Sequence, residues 1–251
     1  MSQSSKPISA ESITLRFGIG CFETIKVFPE LRRGFKVAFL QPHVRRLLKG
    51  AMVCRLTAPS EESIEREIYA CLKEGVSNRV QVLRLMLTQE TGLHCWLQPA
   101  ESYTESIRAC SLTDFCINSS SPLNSFKSFN YLHNYLAGRQ ATDAGFDAAV
   151  LFNEKGQLAE LHKANLFFLT LSGQWVTPDL SSGCLPGIIR ETLIPFLKAD
   201  ERPIEKAELQ SFRSVIAVNS LVEVQNVSQI DNLNFEPVEL KPLIDHIRQQ
   251  M

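Results

Sequence analysis

Lys127-Ser-Phe-Asn-Tyr-Leu132 sets a lysine just ahead of a run with helical spacing, Leu132, Leu136, Arg139 and Gln140. Further along stands Glu160-Leu-His-Lys-Ala-Asn165-Leu-Phe. It is followed by a glycine-rich turn that opens another helical run, Gly183-Cys-Leu-Pro-Gly-Ile-Ile-Arg190. A lysine alone says little, because most lysines are solvated. Followed by an acid and a glycine turn at a helix start, it becomes part of a set. The set supplies an amine that can condense with an aldehyde, a carboxylate for a ring nitrogen, and backbone N–H groups for a phosphate. Those are the three handles of pyridoxal 5′-phosphate. The chain therefore reads as an enzyme that uses this cofactor.

The bulk properties fit such an enzyme and exclude other classes. The chain's 251 residues suffice for one large or two modest domains. A hydrophobic share of 44% with 21% charged residues is ordinary for a globular protein, so no disordered or fibrous class is indicated. The net charge of −1 gives no basic surface for nucleic acid. Nothing approaches an apolar run of about 18 residues, so no membrane span is expected. Met1-Ser-Gln-Ser-Ser-Lys-Pro7 lacks the apolar core of a secretory signal. The seven cysteines, an odd number without a Cys-x-x-Cys pair, read as reduced thiols of a cytoplasmic protein. Neither a disulfide framework nor a metal site is expected.

The pattern is that of a mixed α+β chain. Phe22–Phe28 and Phe35–Phe39 suggest a hairpin around Pro29–Gly34. Pro42 starts a helix with Val44, Leu47, Leu48 and Ala51 on one face. Ser60 reads as the N-cap of a second helix with Ile64, Ile68 and Leu72 on its apolar face. Ser63 stands where a full capping box would have Glu or Gln. Strands are expected over Val80–Leu87 and Ile107–Ile117, with Thr88–Trp96 as a loop. The Pro/Ser-rich stretch 118–124 reads as an interdomain linker. It separates a small α/β domain (1–117) from a larger one (125–251). A helix over about 131–144 comes next, then strands near 148–153, 166–171 and 174–177. A helix over 188–198, strands over 214–218 and 223–227, and a closing helix over 240–248 complete the expectation.

Ordered along the chain, these pieces resemble the class IV aminotransferases, the fold-type IV pyridoxal-phosphate enzymes. The resemblance runs over residues 17–228. It rests on Phe17-Gly-Ile-Gly-Cys-Phe-Glu-Thr24, His43-x-x-Arg46-Leu47, Lys127-x-x-Asn-Tyr-Leu132, Glu160-x4-Asn165-Leu-Phe, Thr177-Pro178, Gly183-x-Leu-x-Gly-Ile188-x-Arg190 and Asn219-Ser-Leu221. It implies a two-domain fold with a barrel-like C-terminal domain and a homodimer. Lys127 would bind the cofactor covalently and then move the substrate proton. Glu160 would hold the pyridine nitrogen protonated; its bland alternative is a solvated strand-end acid. Ile188 and Ile189 would offer backbone N–H groups to the phosphate, with Ser220 and Arg46 adding a hydroxyl and a guanidinium. Only the family spacing selects Arg46 over Arg45. Tyr131 would reach the cofactor's phenolic oxygen, or else be an ordinary half-buried aromatic. Leu185 would pack on the ring face. His43 reads as structural, with no acid partner at useful spacing, and Arg190 as a structural ion pair.

The family includes branched-chain and D-amino acid aminotransferases and 4-amino-4-deoxychorismate lyase. Thr24, the direct Lys127-x-x-Asn130-Tyr131 spacing and Asn219 before Ser220 lean toward the lyase, which releases 4-aminobenzoate and pyruvate in folate synthesis. In that reading Thr24 assists elimination, and Asn219, with Leu221 beside it, contacts substrate. His94 stands where an arginine for the substrate carboxylate is common: protonated, it would bind that carboxylate, or else it is packing and Arg84 or a residue of the partner subunit supplies the cation. Ile19 replaces the acid usual in Gly-Asp-Gly. The N-terminal segment is shorter than is common, which would cost the small domain its first strand. A transaminase of branched-chain or D-amino acids is the alternative, and a non-catalytic homologue a further one.

Overall fold

Along Cys21–Val27, alternate residues are buried in an apolar core and directed to a second face, and this alternation organises the first half of the molecule. In the computed structural model, which describes residues 8–30, 34–75 and 77–251, the chain divides into two units. One runs up to Glu101 and includes Ser125–Tyr131; the other comprises Ser102–Asn124 and Leu132–Met251. The expected 118–124 linker therefore lies within the second unit, and the chain returns to the first for seven residues that include Lys127. The expected boundary after residue 117 falls at the end of a strand paired inside the second unit's sheet. Composition suggested a linker there, but strand pairing determines the division.

The first unit contains α1 (Ile13–Phe17), β1 (Cys21–Glu30), β2 (Gly34–Val37), α2 (Leu40–Val53), α3 (Glu61–Gly75), β3 (Gln81–Thr88) and β4 (Gly92–Pro99). Its antiparallel sheet has the order β2-β1-β3-β4. The hairpin is present, with Glu30 opposite Gly34; residues 31–33, like Met1–Pro7, lie outside the described residues. Cys21, Ile25 and Val27 of β1 and Leu83, Leu85 and Leu87 of β3 pack with Val44, Leu47 and Ala51 of α2 and Ile64, Ile68 and Leu72 of α3. Both expected helix faces are thus buried. Ser60 Oγ accepts the Ser63 N–H at 3.2 Å and caps α3. The segment read as a loop over 88–96 is mostly strand β4, whose Leu93, Cys95 and Leu97 pack on the helix side.

The second unit holds β5 (Ser106–Ile117), α4 (Leu132–Asp143), β6 (Ala148–Asn153), β7 (Leu158–Leu161), β8 (Asn165–Thr170), β9 (Trp175–Thr177), α5 (Ile188–Leu197), β10 (Asp200–Glu201), β11 (Phe212–Asn219), β12 (Glu223–Ile230), β13 (Leu233–Asn234) and α6 (Lys241–Gln249). Its sheet runs β10-β9-β8-β11-β12-β5-β6-β7, with β13 beside β12. Ladder order alone shows that this sheet curls. β7 and β8 stand five places apart, about 24 Å if the sheet were flat. Yet Leu161 to Asn165 is four Cα steps, at most about 14 Å. The sheet closes into a half-barrel, and Leu161 bridges Ala164 across the join. Its core includes Phe152, Leu158, Leu166, Phe168, Val215 and Val227.

Candidate active site

In the first unit, the returning segment fixes Lys127 through its backbone. The Phe22 N–H donates to the Lys127 carbonyl at 2.9 Å, and the Phe129 N–H donates to Gly20 O at 3.0 Å. Ser128 bridges Cys21, while Phe126 is buried against Gly50, where a Cβ would come within 2.5 Å of its ring. Lys127 is thereby laid along the start of β1, half-buried. Its Nζ stands 5.0 Å from the ring centroids of both Phe22 and Tyr131. Those two rings meet edge to face at 5.5 Å.

β-sheet register sets the rest of this cluster. Thr24 lies opposite Arg84, and Arg84 opposite Trp96, so the three form one row across β1, β3 and β4. Directly opposed residues share a face. Arg84 Nη1 donates to Thr24 Oγ1 at 2.6 Å. A cavity of about 390 Å³ lies on this face, lined by Phe22, Glu23, Arg84, Leu85, Met86, Trp96, Gln98, Phe129 and Tyr131. His94, expected in a loop near substrate, stands on β4. Its Nε2 is bound to Thr91 Oγ1 of its own turn at 2.5 Å, and it does not line the cavity.

Glu23, which the sequence reading passed over, is the centre of a buried charge cluster. It is 1% exposed, on the helix side of β1. Arg46 of α2 grips it at two points, Nε to Oε1 at 2.7 Å and Nη2 to Oε2 at 2.8 Å. His43 Nδ1 meets Oε2 at 2.7 Å. The expectation that His43 has no acid partner is therefore corrected: the acid comes from a different element. The signal was nonetheless present, since Glu23 shares the parity of the apolar Cys21, Ile25 and Val27. Although burial opposes its charge, Arg46 above all brings the Glu23 carboxyl down to about 2. Burial holds His43 below its usual range, hence neutral near pH 7, with Nδ1–H donating to Glu23. His43 Nε2 is then a buried acceptor without a partner among the described residues. Arg46, expected at the phosphate, has two of its nitrogens engaged by Glu23.

In the second unit, the acid and the glycine turn are joined directly. Glu160 Oε2 accepts the Leu185 N–H at 3.0 Å and Asn165 Nδ2 at 3.2 Å, and Asn165 Nδ2 also donates to Leu185 O at 2.9 Å. Gly187 lies so close to this network that a Cβ would sit 2.0 Å from Asn165 Oδ1, which explains a glycine there. Gly187 opens α5 without a side-chain cap, and Ile188 and Ile189 follow with their side chains buried. Val218 pairs with Asn165, which brings the turn carrying Asn219, Ser220 and Leu221 to the same end of the sheet. Asn219 is largely occupied there: Oδ1 accepts the N–H groups of Leu221 and Val222 at 2.9 and 2.8 Å, and Nδ2 donates to Lys163 O at 3.1 Å. These three bonds shape the turn. Arg190 is 2% exposed and binds Glu201 at 2.8 Å and Pro178 O at 2.7 Å, the structural pairing expected.

Comparisons with known proteins agree with this reading. Residues 20–230 match the family described as "Amino-transferase class IV". An Aquifex aeolicus protein provisionally named a branched-chain-amino-acid aminotransferase is 31% identical over 125 residues, 47% of this chain. The matched part spans 40% of that relative's length. The branched-chain aminotransferase of Thermoproteus uzoniensis, solved with norvaline, superposes with a TM-score of 0.89 at 22% identity, over 98% of this chain and 90% of its own. A Legionella pneumophila protein provisionally named a 4-amino-4-deoxychorismate lyase does so with a TM-score of 0.83 at 24% identity, over 100% and 98%. Both likenesses are of fold.

Proposed function

Because the chain belongs to the class IV amino-transferase family, enzymes that work with pyridoxal phosphate, we propose that it is a lyase converting 4-amino-4-deoxychorismate to 4-aminobenzoate and pyruvate. The observation that carries this reading is the Thr24 hydroxyl, which accepts at 2.6 Å from Arg84, a residue that lines a ring-walled cavity. The residues present suit the cofactor by kind. Glu160 is a carboxylate already aimed by two N–H donors, α5 begins without a side-chain cap, and Ser220 stands at the same sheet end. When bound, the cofactor supplies an electron sink for the substrate's amine-bearing carbon.

The residues divide the remaining work. Lys127 Nζ takes the proton from the ring carbon that carries the amine. Arg84, anchored by Thr24, binds the ring carboxylate with its other N–H groups. Since Thr24 Oγ1 accepts from Arg84, its own proton is directed elsewhere, and it donates to the oxygen of the departing enolpyruvyl group. A C–H and a C–O bond break, the ring becomes aromatic, and enolpyruvate takes up a proton to become pyruvate. Atoms balance without an oxidant or water. With the cofactor bound, Glu160 would keep its ring nitrogen protonated, Tyr131 would reach its phenolic oxygen and Leu185 would pack on its ring face. The resemblance extends the proposal to a cytoplasmic homodimer; an active monomer in light scattering would end that part.

Transamination of a small amino acid is the second reading, favoured by the branched-chain aminotransferases among the relatives. The two separate when the holoenzyme receives freshly generated 4-amino-4-deoxychorismate. Stoichiometric 4-aminobenzoate and pyruvate are expected, with a Thr24→Gly variant losing roughly 10²-fold of that turnover. Absence of product, with the cofactor converted to its amine form by amino acids alone, would favour transamination.

A further inference from the structure

We propose that the open face of the first unit's sheet selects a flat ring bearing a carboxylate, and that Trp96 is the residue that sets this selectivity. The proposal rests on the lyase reading for the identity of the substrate, and on the cavity itself for its class. Four of the lining residues carry aromatic rings: Phe22, Trp96, Phe129 and Tyr131. The cavity's volume suits a small organic ligand. Two charged residues line it. Glu23 is neutralised on the helix side by Arg46, whereas Arg84 donates one N–H to Thr24 and has further donors on its guanidinium. A ligand there meets four rings, with Leu85 and Met86 beside them, and one anchored cation, which favours an unsaturated ring with an acid group over a branched aliphatic chain.

Trp96 stands out among the four rings for its surroundings. Phe22 and Tyr131 flank Lys127 Nζ. Phe129 is wedged on Gly20, where a Cβ would come within 2.5 Å of its ring. Those three are bound up with placing the amine. Trp96 is 39% exposed, far more than an indole of the core, and it sits directly opposite Arg84 in the register. A ring whose carboxylate is held by Arg84 therefore lies beside the Trp96 indole, and such a ring–ring contact is worth roughly two- to tenfold in affinity. Gln98, on the same face of β4, adds an amide donor to the wall.

Trp96 and Trp175 are the two tryptophans of the chain, and Trp175 lies on β9 of the second unit. In a Trp175→Phe holoenzyme the indole emission belongs to Trp96. Titration with benzoate should quench it saturably, at about fivefold lower concentration than 4-methylpentanoate. Arg84→Met should abolish the saturable phase for both. Equal midpoints for the two carboxylates, or a linear response, would overturn the proposal. In turnover, Trp96→Leu should raise KM for 4-amino-4-deoxychorismate about tenfold with a much smaller change in kcat, and Trp96→Phe should recover most of that loss. An unchanged KM in Trp96→Leu would overturn it as well. Ring-selective quenching in a protein without lyase turnover would keep the pocket and remove the lyase reading. Lyase turnover indifferent to Trp96 would do the reverse.

Discussion

Lys127→Ala is expected to lower turnover by at least about 10³-fold, whichever of the two reactions the enzyme performs, because both need an amine at this place to move a proton. The backbone distinguishes Lys127 from Lys26, the other lysine of this strand region. Lys127 is fixed by the bond from Phe22 N–H to its carbonyl and by the Ser128–Cys21 bridge, so its Nζ emerges between Phe22 and Tyr131. Lys26, two pairs along β1 from Thr24, is placed by register rather than by such a clamp, and its Nζ lies over Phe28. The assignment can be read without a substrate. Borohydride reduction of the holoenzyme followed by peptide mapping should place the pyridoxyl label on the peptide carrying Lys127, and Lys127→Ala should lose both label and visible absorbance. A label on another lysine, or wild-type turnover in the variant, would return Lys127 to an ordinary half-buried side chain.

Much of this cluster was legible from the chain, and what escaped did so for a physical reason. Helix faces such as Ile64, Ile68 and Leu72 are local patterns, and all three are fully buried. Glycine at 187 and the acid at 160 could be read as parts of a loop and a carboxylate, but the bonds joining them through Asn165 and Leu185 depend on the curl of the sheet. His43 was read as partnerless because its acid lies on β1, twenty residues earlier in the chain. Spacing within one helix carries no information about a neighbouring strand. The stretch 88–96, expected as a loop, is mostly strand: Leu93, Cys95 and Leu97 alternate onto the helix side, and Gly92 and Pro99 bound the strand. The stretch 118–124 has the composition of a linker. The chain crosses between the two units at 101/102, 124/125 and 131/132, and the stretch 118–124 lies wholly within the second.

The Glu23 cluster gives the largest expected effect on stability. Removing the carboxylate leaves the Arg46 guanidinium, only 9% exposed, without its two-point partner. Breaking a buried pair from one side costs roughly 3–5 kcal/mol, because a desolvated charge remains. Glu23→Gln should therefore lower the unfolding free energy by about that amount near pH 7. Glu23→Leu combined with Arg46→Met should recover part of it, since both charges are then gone. The pH dependence carries the sign. Glu23 titrates at about 2 when folded and at 4.5 when unfolded, so its charge contributes roughly 3 kcal/mol above pH 4.5, lost as pH falls toward 2. His43 acts in the same direction from a higher pH. Its folded pKa is depressed below 6.5, so the unfolded chain takes up the proton first on acidification. Urea unfolding at pH 7 and again near pH 2 should show the gap between wild type and Glu23→Gln closing to about 1 kcal/mol or less in acid, where Glu23 is protonated in the unfolded chain and about half protonated in the folded one. A gap that stays constant through that range would mean that Glu23 holds Arg46 as a neutral acid, and the charge-pair account of α2 docking on β1 would have to be abandoned.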